Sequence, residues 1–470
     1  MSTAPILLWL RRDLRLADHA ALSAAVATGR PVIPVFIHDD ILEAYGACPK
    51  WRMGLAIAHF AKVLEGVGSR LILRRGNALA CLQALIEETG ADTVYWSRAY
   101  DPDAIARDTS IKARLKEAGH EAASFEGAVL FEPWTVTNKS GGFFKVFSPM
   151  WKSVRDREVD ACLPAPSSLP APEAWPRSDD LEDWAMGAGM NRGAAIVGQF
   201  VKVGEQAAAD RLALFLNERV ADYARARDMM ALEGTSGLSE NLTYGEISPR
   251  QCWHAGWEAF HKGAAGAETF LKELVWREFA YQLVFHTPHI LTGNWKPEWD
   301  AFAWSEDDSK PEVLAWKQGR TGIQLVDAAM REMYVTGYMH NRGRMIVASY
   351  LTKHLMTHWK IGQAWFDECL IDWDPASNAM GWQWAAGSGP DASPYFRIFN
   401  PDTQAEKFDG NRAYRARYLA ELFANHEERA ELFYKAIPRS WDLSKGDSYP
   451  KPVVGLQEGR ERALEAYQNR

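Results

Sequence analysis

Glu273, Trp276, Arg277 and Ala280 recur at i, i+3, i+4 and i+7, a spacing that puts all four on one helical face. An acid, an indole, a guanidinium and a small residue make a poor core stripe and a good wall for a polar aromatic ligand. The indole can stack and the acid can accept hydrogen bonds. A surface helix with an ordinary Glu–Arg pair gives the same spacing. His340 is followed by Asn341, Arg342 and Arg344 where a helical segment begins. Amides and guanidinium groups at a helix start suit anionic groups, and simple capping by Asn341 would look alike. In 371–401, Asp372 and Asp374 precede a proline, and Asn378, Trp382 and Trp384 follow. A run of Gly, Ser and Ala then ends at Tyr395, Phe396 and Arg397. Small residues between large aromatics allow close backbone approach to a flat ligand; a packed aromatic loop is the alternative. Thr235, Ser236 and Ser239 surround Gly237 and Leu238. Hydroxyls and exposed amides before a helix can cradle a phosphate or cap the helix.

The elements that must carry these groups fall into two kinds. In the first 130 residues, ILLWL (6–10), PVIPVFI (31–37), RLILRR (70–75), DTVYW (92–96) and EAASF (121–125) read as buried strands. Amphipathic stretches such as 51–64 and 78–89 lie between them. This alternation predicts a doubly wound parallel sheet, which binds ligands at the carboxyl ends of its strands. No GxGxxG opens a helix, so a standard dinucleotide fingerprint is missing. Residues 163–192, rich in Pro, Ser, Ala and acid, read as a long surface connection. From about 200 onward the apolar spacing is helical. The expected organisation is an α/β domain over 1–130, a linker over 131–199 and a larger all-α domain over 200–470.

The net charge is −8, so any nucleic-acid contact must be a local basic patch on an acidic protein. The cysteines at 48, 81, 162, 252 and 369 are too scattered for a zinc knuckle or a disulfide framework, and no metal site is expected. A reducing, cytoplasmic location follows. The N-terminal apolar run has no basic region before it and reads as a first strand. No apolar run reaches the roughly 18 residues of a membrane span.

Taken together, WLRRDLRLADHAAL, YARARDMMALEGTSGLSENLTYGEISPRQ, WREFAYQLVFHTP, GYMHNRGRM and GWQWAAGSGPDASPYFRIFNP resemble the signature blocks of the photolyase/cryptochrome family. The resemblance spans the whole chain with order preserved. It is greatest to cyclobutane pyrimidine dimer photolyases of class I or the related class III. It implies an α/β antenna domain, a helical domain holding FAD, UV-damaged DNA as partner and a monomeric enzyme.

Carried over by position, the resemblance implies FAD contacts at Tyr223, Thr235, Ser236, Gly237, Leu238, Ser239, Arg277, Arg344, Asp372, Asp374 and Asn378. Arg344, fixed by Asp372, would supply positive charge to a reduced flavin, and Asn378 would face its N5. Glu273, Trp276, Arg277, Asn341, Arg342, Trp384 and Arg397 would hold a flipped-out dimer. Glu273 and Asn341 would bond its base edges, Trp276 and Trp384 would stack, and Arg342 and Arg397 would take flanking phosphates. Trp382, Trp359 and Trp304 would form the electron chain to the surface, with Trp299 and Trp316 as alternatives to Trp304. An antenna pigment, 5,10-methenyltetrahydrofolate first and 8-hydroxy-5-deazaflavin second, would sit near Phe36, Trp51, Arg52, Tyr100 and Asp101. A blue-light photoreceptor and a (6-4) photolyase are the alternative activities. Asn341, where (6-4) enzymes carry a histidine, speaks for dimer repair.

Overall fold

The β-branched runs form β1 Ile6–Leu10, β2 Val32–His38, β3 Ile72–Arg75, β4 Thr93–Ser97 and β5 Glu121–Phe125, each within two residues of its expected bounds. The computed structural model describes residues 3–391 and 396–470. All five strands are parallel, in the order β3-β2-β1-β4-β5. Every residue of β1 is buried because both sheet faces are covered. Ile6, Leu8 and Leu10 pack into one layer, while Leu7 and Trp9 pack into the other. The order reverses beside β1, so the crevice between the ends of β1 and β4 is the topological switch point.

The second half is helical, as the spacing requires. Its cores form around Ala267–His286 and Gln324–Thr336. Within 131–199 the chain is not all connection. Phe147–Val154 is a helix whose Phe147, Met150, Trp151 and Val154 are buried in the same core as Phe270 and Leu274. The 163–192 stretch makes only short turns, laid along the sheet by Leu169 and Trp184.

The packed aromatic loop left open as the alternative does not form: the Trp382–Trp384 run is part of the helix Pro375–Ala386. Asp374 caps its start by accepting from the Ser377 amide at 2.8 Å, Pro375 fits the first turn, and Gly387 ends it at φ +97. Close approach by glycine occurs elsewhere. A Cβ at Gly362 would stand 2.0 Å from the Trp382 ring, so that indole lies directly on the Trp359–Cys369 helix.

The two halves are tied by buried ion pairs. Arg52, 0% exposed on the Ala47–Gly66 helix, binds Glu240 at 2.6 Å and Glu246 at 2.7 Å. Arg12 donates to the Thr243 carbonyl at 2.7 Å and pairs with Asp374 at 3.0 Å. Among the described residues, no helix is long and apolar enough to cross a membrane.

Candidate functional site

A cavity of about 260 Å³ lies inside the helical half. Tyr223, the 235–239 segment, Arg344, Asp372 and Asp374 line it, together with Glu273, Arg277 and Asn341. The sequence-named groups thus converge from four separate segments.

Local structure explains each placement. Gly237 takes φ +64, the left-handed conformation open to glycine, and turns the 235–239 segment around the cavity. Arg344 projects from the helix Asn341–Ser349 and holds both Asp372 oxygens, at 2.8 and 2.9 Å. Both bonds come from Nη2 and are charge-assisted, which holds the positive charge at the wall. Its Nε donates to the Met339 carbonyl at 2.8 Å. Asp374 takes the Tyr281 hydroxyl at 2.6 Å. Burial works to raise the Asp374 carboxyl, but Arg12, Arg277, Tyr281 and the Ser377 amide together hold it below its ordinary range.

Asn341 begins its helix under a histidine cap, with His340 Nδ1 accepting from the Arg342 amide at 3.1 Å. Burial lowers His340 to about 4, so the ring is neutral at pH 7, as the acceptor role needs. The His340 amide in turn donates to Glu332 at 2.8 Å. Burial raises Glu332 to about 7.

Several neighbours had no sequence signal. Glu273 pairs not with Arg277 but with Arg227, four residues after Tyr223 and packed over its ring at 5.6 Å. Arg277 instead donates to the Ala128 carbonyl at 2.8 Å and touches Glu278 at 3.3 Å. Tyr338 and Phe270 complete the wall. Only the Tyr223–Arg227 helical spacing was there to be read.

Other named residues lie outside the cavity lining. Asn378 follows Ser377, which does line it, and donates to the Gln363 carbonyl at 3.1 Å. Trp276 is half-buried and stacks on Phe147. Trp384 is half-buried, on the opposite side of its helix from Trp382. Arg342 is occupied by Asp228 at 2.6 Å and lies 4.4 Å over Phe408. Arg397 is exposed. Tyr395 lies outside the described residues.

The tryptophans form a buried series. Trp382 is 2% exposed, and its indole nitrogen has no hydrogen-bond partner among the described residues. Trp359 donates to Asn294 at 2.8 Å. His358 stands between Trp359 and Trp304, 5.3 Å from each ring. Trp304 stacks on Trp299 at 5.4 Å and 17°. Arg470 lies 4.8 Å over Trp299, a positive charge that disfavours an electron hole there relative to Trp304. Trp316 is fully buried, 6.1 Å from Trp382.

At the sheet's switch point, Phe36, Tyr100 and Asp101 line a crevice of about 90 Å³, with Arg11, Arg12 and Arg107 crowding it. Trp51 and Arg52 do not join it, which corrects their expected place. Arg52 is consumed by Glu240 and Glu246, and Trp51 packs against Gly187 and Gly198.

Comparison with known proteins agrees with this arrangement. The family described as DNA photolyase matches residues 6–173, and that described as the FAD binding domain of DNA photolyase matches 270–469. A deoxyribodipyrimidine photo-lyase of Agrobacterium fabrum is 42% identical, covering 99% of this chain and 98% of its own. Cryptochrome-1 of Arabidopsis thaliana is 32% identical over 98% of this chain and 70% of its own. A bacterial class III photolyase from Agrobacterium tumefaciens superposes with a TM-score of 0.90 at 42% identity, covering 100% of this chain and 98% of that one. With both family matches in order along the chain and close relatives over its full length, the protein belongs to the DNA photolyase family and carries its FAD-binding domain.

Proposed function

We propose that this protein repairs cyclobutane pyrimidine dimers in DNA, using light absorbed by a reduced FAD held in the helical half. The observation that carries this reading is one cavity with two kinds of wall. Thr235, Ser236 and Ser239 offer hydroxyls, Leu238 and Phe270 offer apolar surface, and Arg344 with Asp372 offers a fixed charge. This donor set fits a bent flavin dinucleotide. Glu273 and Asn341 share the same cavity and offer polar groups to a base edge. When bound, reduced FAD supplies the photoexcited electron that opens the cyclobutane ring and then takes it back.

The chain's residues do the rest. Arg344 holds positive charge beside the cavity and Asp372 keeps its guanidinium in one orientation. Asn378, next to the lining residue Ser377 and tied through its amide nitrogen to the Gln363 carbonyl, would offer a reduced flavin an acceptor oxygen that is not acidic. Glu273, already accepting from Arg227, acts as an acceptor toward a pyrimidine N–H, with Asn341 beside it. Trp276 and Trp384 stack on the lesion, each base worth about 1–3 kcal/mol. Arg397, and Arg342 after exchanging Asp228, hold flanking phosphates. Trp382, Trp359 and Trp304 carry electrons inward when oxidised flavin is photoreduced. All five cysteines are free, in keeping with a reducing cytoplasm.

The test is light-dependent repair. Purified protein should release FAD on heating and should restore dimer-containing DNA, single-stranded or duplex, only under blue or near-UV light. Repair of the (6-4) product alone would reverse the substrate assignment. No repair of either lesion would leave photoreception as the reading.

A further inference from the structure

Phe147 opens the helix Phe147–Val154, and its ring lies 3.8 Å from the Trp276 ring at an interplanar angle of 4°. Among the described residues no other ring pair is so close or so parallel, and it is tighter than the roughly 4.5–7 Å of most aromatic pairs. Phe279 stands edge-on to both rings, 5.7 Å from Trp276 and 6.2 Å from Phe147. The indole is therefore fixed in plane by one ring and in rotation by another. Since Phe147 covers one face, a base can stack only on the other.

Phe147 is itself held from a distance. The residue before it, Val146, makes no side-chain cap. The orphan amide of Phe147 donates instead to Asp391 Oδ1 at 3.2 Å. Asp391 lies five residues after the helix that carries Trp384 and six before Arg397.

We propose that Phe147 is a positioning residue for lesion recognition: it backs the Trp276 indole and, through its amide, locks that platform to the Asp391 end of the segment leading to Arg397. This rests on the reading of Trp276 as a lesion-stacking ring. A free indole would lose rotational freedom on binding, and a backed one has already lost it, so the gain appears as affinity. The effect is selective, because undamaged DNA presents no flipped base.

The experiment measures dark binding of the FAD-loaded protein to dimer-containing and undamaged DNA for wild type, Phe147→Leu, Phe147→Tyr, Asp391→Ala and Trp276→Ala. Phe147→Leu should weaken lesion binding about 3- to 10-fold, the size of an aromatic pair contribution. Affinity for undamaged DNA and flavin content should not change. Phe147→Tyr keeps the stacked ring and should restore the lesion preference, and Asp391→Ala should lower it less than Phe147→Leu does. Should Phe147→Leu not fold, Asp391→Ala carries the test, because it leaves the ring in place. Equal loss of both DNA affinities, or none, overturns the proposal. If Trp276→Ala weakens lesion binding and neither Phe147→Leu nor Asp391→Ala does, the positioning role alone fails. If Trp276→Ala also has no effect, the lesion-stacking reading fails with it.

Discussion

Glutamine at position 332 isolates one buried proton. Glu332 is 8% exposed. It accepts the His340 amide at 2.8 Å and the Tyr414 hydroxyl at 2.6 Å. Burial raises it from 4.5 to about 7 against the lowering effect of both hydrogen bonds and of Arg344 and Arg417. The folded protein therefore holds this proton more tightly than the unfolded chain. The resulting stabilisation is fully present below pH 4.5 and is lost as pH rises through about 7. At about 1.4 kcal/mol per pK unit, the rise corresponds to about 3 kcal/mol between the two limits.

Glu332→Gln keeps the acceptor oxygen and removes the titration. Relative to wild type, the variant should gain about 2–3 kcal/mol between about pH 5 and about pH 8. The assay is denaturant unfolding of both proteins side by side at the two pH values, followed by far-UV circular dichroism, reading only the variant-minus-wild-type difference. That difference cancels the groups both proteins share, including His340 and His354. Burial lowers each of these to about 4, and their contribution runs the opposite way, present above pH 6.5 and lost as pH falls through about 4. An equal difference at both pH values would refute the assignment of the proton to Glu332.

Trp382→Phe should abolish photoreduction of the oxidised flavin by external reductant while leaving repair by pre-reduced enzyme nearly intact; equal loss of both by flash photolysis and repair assay would make Trp382 structural. Arg52→Met should destabilise the protein by about 3–5 kcal/mol, because it takes the guanidinium from buried Glu246 and leaves Glu240 with Arg211 alone. Adding Glu240→Gln and Glu246→Gln should recover part of that loss in thermal unfolding, and no recovery would place the cost in packing instead.

What the sequence made legible was what local chemistry dictates. β1 reads as a buried strand because ILLWL is apolar on both faces, and the helical half reads from its spacing. At 375–386 composition left a packed aromatic loop open as the alternative, and Asp374, Pro375 and Gly387 decide against it by supplying the start and stop of a helix. The residues named as flavin contacts came from motif resemblance, and their partners in the fold were not legible. Arg227 meets Glu273 across 46 residues, Arg12 meets Asp374 across 362, and Phe147 meets Trp276 from a stretch expected to be linker. Such pairings leave no periodicity in either segment, so only the fold reveals them. The small size of the switch-point crevice was equally invisible, since it depends on where three arginine side chains come to rest.

The Arg52 ion cluster also orders events during synthesis. Arg52 leaves the ribosome 188 residues ahead of Glu240 and 194 ahead of Glu246. At roughly 5–20 residues per second the delay is about 10–40 s. The sheet, whose last strand ends at Phe125, can be complete before the carboxylates arrive, and until then the Arg52 guanidinium stays hydrated. Docking of the helical half is the late, water-expelling step that completes the molecule.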